Sequence, residues 1–470
     1  MERYDLVVIG SGPGGEKAAA QAAYFGKRVA VIERAREPGG AAVHTGTLPS
    51  KTLRETAVYL SGHRSRALYG LALQLEEHVT LQTLMARKRA IASAESRRIR
   101  ENLARHDVPL IHGHGRLLDA HTVEVTHDDG TKTLLSTDFT LIATGSVPRR
   151  PREIDFGSPR VHDSDEILTI DALPTSLIVL GAGVIGCEYA CMFAALGTQV
   201  TLVDGRADIL PFLDHELRDA LKDEMESLGV RLALGAAWSS EPGAIVADEH
   251  EVRCLLNDGT VVRAAHLLFA AGRGGATRDL GLENVGLQPD ARGNLQVDAS
   301  YATAVPSVLA VGDVIGFPAL ASASMEQGRV AICRAFGFGY KEALSGVIPY
   351  GIYTIPEVSA VGETEQSMLA KQEPYVVGRA RFHDNARGQI QGDLGGLTKL
   401  VVCARTRRIL GVHVIGERAS ELVHLGQVAL LAGATVDVFI EMVFNYPTLS
   451  ETYKYAAYEC LGALARAAHG

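Results

Sequence analysis

The chain has 470 residues, of which 47% are hydrophobic and 21% charged, with a net charge of −9. That length exceeds a single hydrophobic core and calls for roughly two to four domains. The composition excludes a disordered chain, the acidic balance argues against a general affinity for nucleic acid, and no stretch reaches the roughly 18 apolar residues of a membrane span.

The first element is an apolar strand, DLVVIG at 5–10, which the N-terminus enters without a signal peptide's cleavage site. A cytoplasmic, reducing setting is therefore expected. Next comes GSGPGGEKAAAQAAYFGKRVAVIE, in which Gly10, Gly12 and Gly15 fit G-x-G-x-x-G between the strand and an alanine-rich helix. A second strand ends in an acid, Glu33. Such glycines permit a tight turn, close approach of a pyrophosphate and close helix packing, while the acid accepts from a ribose hydroxyl. In this strand–helix–strand–acid context the motif points to a bound dinucleotide.

The loop GGAAVHTGTLPSK at 39–51 holds small residues, two threonines and a histidine, with no thiol or carboxylate to attack a substrate. Lys51 is expected in the first turn of a helix, with Thr52 and Glu55 in capping-box spacing. A cation there opposes the helix dipole, so a local anion is expected beside it. His44 is read as a structural hydrogen-bonding group in preference to a proton carrier. Between 86 and 106, Ile91, Ile99 and Leu103 share one helical face and leave the arginines solvated. The two histidines of HGHG at 112–115 have no third ligand nearby and are not read as a metal site.

FTLIATGSVP at 139–148, with Thr144 and Gly145, reads as a strand returning to the first sheet. The opening unit then recurs. SLIVLGAGVIGCEYACMFAALGTQVTLVD carries Gly181, Gly183 and Gly186 and ends in Asp204, and Glu33 and Asp204 each lie 23 residues after the first glycine of their unit. Two dinucleotide folds follow from the repeat. Asp204 suits a ribose 2′-hydroxyl, and Arg206 suits a 2′-phosphate unless it is only a surface charge. LLFAAGRGG at 267–275, with Gly272, is the second returning strand. A third strand, PSVLAV, reaches Gly312-Asp313 before a helix near Ala321. Asp313 taken alone is an ordinary turn aspartate or a polyol-binding acid. From about 346 the character changes to an α+β pattern, with a hairpin over 398–416 and a helix over 420–434. The six cysteines (187, 191, 254, 333, 403 and 460) are scattered and need not pair.

Taken together, GSGPGG with Glu33, the 39–51 loop, ATGSVP, GAGVIGCE, VGDVIG, YTIPEVSAVG at 353–362 and NYPTLSE at 445–451 span nearly the whole chain. In that order they resemble the pyridine nucleotide–disulfide oxidoreductases, flavoproteins with two dinucleotide-binding domains. The resemblance implies an α/β fold with two Rossmann-like domains and a C-terminal α+β dimerisation domain. It places FAD on residues 1–150 and 278–345, NAD or NADP on 151–277, and assembly into at least a dimer on 346–470. It implies FAD contacts from Gly10, Gly12, Gly15, Glu33, Gly39, Gly40, Thr47, Lys51, Thr144, Gly145 and Asp313, and from the helix start at Ala321. Nicotinamide-nucleotide contacts are implied for Gly181, Gly183, Gly186, Glu188, Asp204, Arg206 and Gly272. Lys51 and Glu188 would pair beside flavin N5.

The departures from the family pattern are informative. Its disulfide reductases carry two loop cysteines where this chain has Ala42 and Thr47, and a C-terminal base histidine where it has Tyr446. An unperturbed phenol, with a pKa of about 10, is a poor base near neutrality. Glu451, which would orient that histidine, remains. Disulfide reduction is therefore excluded. HTGTLPSK and FNYPT are similar to the soluble pyridine nucleotide transhydrogenases of the Si-specific type, although those commonly retain the first cysteine that Ala42 replaces. The resemblance implies ping-pong hydride transfer between NADPH and NAD+ through FAD. An NAD(P)H:quinone or dye reductase is the alternative enzyme, and a catalytically idle flavoprotein acting as an interaction module is the alternative of another class.

Overall fold

The structure is a computed structural model that describes residues 1–62 and 84–469. Its first sheet is built on strand Glu2–Ile9, flanked in parallel by Val29–Glu33 and Lys132–Ile142, with Val7 opposite both Ala30 and Thr140. Leu110–His112 extends one edge, and Val308–Ala310 returns from far along the chain to pair with the end of Lys132–Ile142. Leu6, Val7, Val8 and Ile9 are all buried, as in a parallel sheet covered on both faces. The first half of Lys132–Ile142 instead pairs antiparallel with Thr122–Thr126, which pairs with His114–Asp119.

Helix Pro13–Tyr24 connects the first two strands and has proline in its first turn, where the missing N–H costs nothing. Its small residues Ala18, Ala19 and Ala22 are buried. Helix Ala321–Phe336 crosses so closely that a Cβ on Gly328 would collide with the carbonyl of Gly14.

The second sheet repeats the plan with five parallel strands in the order Arg231–Leu234, Gln199–Asp204, Ser176–Leu180, His266–Phe269 and Val161–Asp163. Helix Val184–Ala195 follows its central strand and is buried on nearly every side, with Cys187 and Cys191 inside it. A three-stranded antiparallel sheet over residues 245–264 shares a core with this unit. The two-stranded ribbon of Ser146–Pro148 and Arg273–Gly275 links the two halves.

Beyond residue 346 the chain forms an antiparallel sheet ordered Tyr350–Ile352, Glu357–Gly362, Ile409–Gly416, Leu397–Cys403, Tyr375–Arg381. The hairpin expected over 398–416 is its centre, and helices Ala419–Leu431 and Thr452–His469 share its core. The basic segment is helix Ala86–Arg105, which buries Ile99 and Leu103 and leaves Arg97, Arg98 and Arg100 exposed. No helix among the described residues is long and apolar enough to cross a membrane.

One element begins earlier than its sequence suggests. The helix expected to have Lys51 in its first turn runs Thr47–Ser61, with Gly46 as its N-cap residue. Thr52 is inside it and donates its hydroxyl to Leu48 O at 2.7 Å, so no capping box forms with Glu55. Pro49 sits in the first turn, where its lack of an N–H is tolerated.

Candidate active site

Both fingerprints use their glycines in the same way. Gly10 has a φ of +106°, which favours glycine, and a Cβ on Gly15 would collide with the carbonyl of Gly10. Gly12 differs: a Cβ there would meet nothing within 4 Å. The second unit repeats the contrast, with Gly186 packed onto the carbonyl of Gly181 and Gly183 facing open space. Among the described residues no side chain caps helix Pro13–Tyr24 or helix Val184–Ala195, whereas Asp214 caps helix His215–Ser227. The first two helices therefore present free N–H groups beside an open glycine, an anion site by construction.

A cavity of about 810 Å³ is lined by the first fingerprint and reaches the helix of Lys51. Gly10, Gly12, Glu33, Gly40, Thr144 and Gly145 line it, as do Thr47, Lys51, Asp313, Ala321 and Glu188. Gly15 and Gly39 do not line it, nor do Gly181, Gly183, Gly186, Asp204, Arg206 and Gly272 of the second unit. Glu33 is held by Ser11, which donates its N–H at 2.9 Å and its hydroxyl at 2.6 Å to one carboxylate oxygen, and by the N–H of Ala35 at 2.8 Å to the other. Asp313 accepts from the Ser146 hydroxyl at 2.8 Å. The buried Oγ1 of Thr144 has no hydrogen-bond partner among the described residues. An orphaned buried hydroxyl, an open glycine at a helix start and two cavity-lining acids, Glu33 and Asp313, fit FAD.

At the far end of the cavity Lys51 Nζ donates to Glu188 Oε2 at 2.8 Å. Glu188 lies in helix Val184–Ala195 of the second unit and is 4% exposed, so the pair joins the two dinucleotide folds. The anion expected near Lys51 is therefore Glu188. Its other oxygen, Oε1, accepts the backbone N–H of Tyr353 at 2.9 Å. Val184 and Ile185, one turn earlier on the same helix, give the cavity an apolar wall.

Asp204 and Arg206 face each other at the end of strand Gln199–Asp204. The guanidinium donates to both carboxylate oxygens, at 2.9 and 2.7 Å, and the N–H of Ala182 reaches Asp204 at 2.7 Å. Burial alone would raise the Asp204 pKa, but these hydrogen bonds outweigh it and hold the carboxyl below its ordinary value.

Several secondary readings meet plain answers. His44 contacts Pro38 O at 3.0 Å, a structural bond. His112 contacts Asp128 and His114 lines the cavity. All six cysteines are free, five of them buried, and none lines the cavity. Burial pushes the Cys191 thiol up to about 12 and also holds the Cys187 thiol well above its ordinary value, so neither is a nucleophile. Ala42 and Thr47 both line the cavity where a redox disulfide would stand, and Tyr446 is exposed.

The sequence reading missed Arg273 and Tyr353. Arg273 donates to Asp165 at 2.7 Å, to the Ser146 hydroxyl at 2.9 Å and to Ser146 O at 2.9 Å, thereby fixing the serine that holds Asp313. Its partners lie more than a hundred residues away in the chain, and no local pattern announces them.

With two dinucleotide folds meeting at a lysine–glutamate pair whose glutamate is buried, the architecture is that of a two-nucleotide flavoprotein. Residues 4–328 match the family model described as pyridine nucleotide-disulphide oxidoreductase, and residues 348–457 match the model of its dimerisation domain. The chain belongs to this family. It is 46% identical over 465 residues to a soluble pyridine nucleotide transhydrogenase of Mycobacterium tuberculosis (strain ATCC 25177 / H37Ra), covering 99% of this chain and 98% of that protein. A soluble pyridine nucleotide transhydrogenase of Colwellia psychrerythraea is 42% identical over 464 residues, with 98% of each chain covered. Among solved structures, LpdA from Mycobacterium tuberculosis superposes with a TM-score of 0.88 at 29% identity, covering 97% of this chain and 99% of that one. The HOCl-induced flavoprotein disulfide reductase RclA from Escherichia coli gives 0.86 at 26% identity, with the same coverage.

Proposed function

We propose that this protein is a FAD-dependent NAD(P)+ transhydrogenase that moves hydride between NADPH and NAD+ through a single nicotinamide site. The observation that carries the reading is the cavity's far end: Lys51 and Glu188 are paired there, and Ala42 and Thr47 leave no thiol to receive electrons. The transhydrogenase names of full-length relatives support it. Residues 1–150 and 278–345 would hold FAD, 151–277 NAD or NADP, and 346–470 the dimer contact. Val428, Leu431, Val443, Tyr455 and Tyr458 of that last region are exposed in the single chain, as a dimer face requires. A cytoplasmic setting belongs to the reading and is supported by six unpaired cysteines.

Bound FAD supplies a two-electron relay, taking hydride from one nicotinamide and returning it to another. The protein's own work is binding and orientation. Free N–H groups at the starts of helices Pro13–Tyr24 and Val184–Ala195 would hold the two pyrophosphates, and Glu33 a ribose. No side chain caps helix Ala321–Phe336, whose first residues, Ala321 and Ser322, line the cavity. Its N-terminal dipole would favour negative charge there. Asp204 and Arg206 would distinguish the 2′-hydroxyl from the 2′-phosphate. Under anaerobic conditions NADPH should reduce the thionicotinamide analogue of NAD+ with parallel-line kinetics. Rapid reduction of menadione with the analogue left oxidised would reject the reading in favour of a quinone reductase.

A further inference from the structure

We propose that Tyr353 is a positioning residue that sets the Lys51–Glu188 pair, delivered to the site by the segment that opens the C-terminal sheet. The inference deepens the hydride-transfer reading and rests on its placement of Lys51 beside FAD. Three contacts converge on the pair. The backbone N–H of Tyr353 takes Glu188 Oε1 at 2.9 Å, leaving Oε2 for Lys51. The Tyr353 ring lies 4.8 Å from Lys51 Nζ, inside the range of a cation–π contact. Ser50 Oγ, at 3.3 Å, is the ammonium's remaining hydrogen-bond partner among the described residues.

The segment that carries the ring is itself anchored. Ser420 donates its hydroxyl to Glu357 at 2.7 Å. Glu357 pairs at 3.1 Å with Arg54, whose Nε donates to Thr354 O at 2.9 Å. Arg54 is one turn beyond Lys51 on helix Thr47–Ser61, and its side chain is buried. The circuit therefore closes on the lysine helix, so the 353–357 segment, that helix and Glu188 form one rigid joint. A tyrosine that only filled space would not need its backbone on the glutamate and its ring on the lysine at once.

Reduction of bound FAD adds negative charge, so a cation held in place favours the reduced form. Tyr353→Leu removes the aromatic face but keeps the N–H to Glu188. In a reductive titration of the holoenzyme with a chemical reductant, this variant should lower the reduced-to-oxidised ratio at fixed potential about fivefold. For a two-electron couple that is a midpoint drop of about 20 mV. Tyr353→Phe keeps the face and should match the wild type. In a Lys51→Gln background Tyr353→Leu should add no further shift. Should the leucine variant lose FAD, Tyr353→Met takes its place, since an unbranched thioether fills irregular gaps. No shift with Leu or Met, an equal shift with Phe, or full additivity with Lys51→Gln overturns the proposal. The titration contains no nicotinamide, so its outcome is separate from whether NAD+ is the acceptor.

Discussion

Asp204 and Arg206 hold each other through two side-chain hydrogen bonds, so a nucleotide that uses either residue must part them. The arginine side chain is about half exposed, at 49%, and such a pair contributes only about 0–1 kcal/mol. A charge-assisted contact to a 2′-phosphate contributes about 1.5–3 kcal/mol, enough to draw the arginine away. Arg206→Ala should therefore lower kcat/KM for NADPH by about tenfold or more while sparing NADH, whose ribose then finds Asp204 free. Asp204→Ala should do the reverse. Steady-state kinetics with each nucleotide would reveal crossed effects, and equal losses for both would show that the pair only shapes the loop. The identities of Asp204 and Arg206 were legible because spacing from a glycine fingerprint places them, and those of Lys51 and Glu188 because the 39–51 loop and GAGVIGCE resemble the family's motifs. The fold-back of Arg206 was not, because spacing carries no rotamer. Tyr353 and Arg273 were hidden for a different reason: their roles arise from contacts between distant segments.

The strand–helix–strand units were legible because their signals are local and redundant: apolar runs, glycines, a terminal acid. The start of helix Thr47–Ser61 was not, since Pro49 reads as the end of a loop although a helix's first turn accepts it. Strands Val161–Asp163 and His266–Phe269 bring together His162 and His266, which no motif foretold, with ring nitrogens 2.9 Å apart. Burial, then the neighbouring His162, then Arg160 push the His266 pKa down to about 4, and burial also lowers His162 despite Asp163 beside it. An unfolded histidine titrates near 6.5, so between those values the unfolded chain binds more protons than the folded one. Stability from this pair is thus complete above about pH 6.5 and is lost as pH falls toward 4. Thermal melting between pH 7.5 and 5 should show the decline, and His266→Gln, which cannot take up that proton, should flatten it. Identical slopes in both proteins would mean the pair accepts the proton without cost in the folded state.

Across the molecule, the three largest sheets are tied by polar contacts that lie far apart in sequence. Lys399, 1% exposed, pairs with Asp214 at 2.7 Å across 185 residues, joining the C-terminal sheet to the start of helix His215–Ser227. Its strand was legible as half of a hairpin, but a lysine in an alternating pattern reads as solvated until its buried partner is known. Arg54 makes the matching tie to Thr354 and Glu357 beside the site. The two nucleotide folds meet at Lys51–Glu188 as well as at the ribbon of Ser146–Pro148 and Arg273–Gly275, and a single nicotinamide site implies that donor and acceptor take turns in it. The most direct measurement splits the reaction in half. Holoenzyme is reduced anaerobically with one equivalent of NADPH, freed of NADP+ by gel filtration, and mixed with NAD+ in a stopped-flow instrument. NADH should form in one equivalent, at a rate no slower than steady-state turnover, with no NADP+ present. Reduced enzyme that keeps its electrons until NADP+ is restored would mean that both nucleotides must be bound together, and the single-site relay would be wrong.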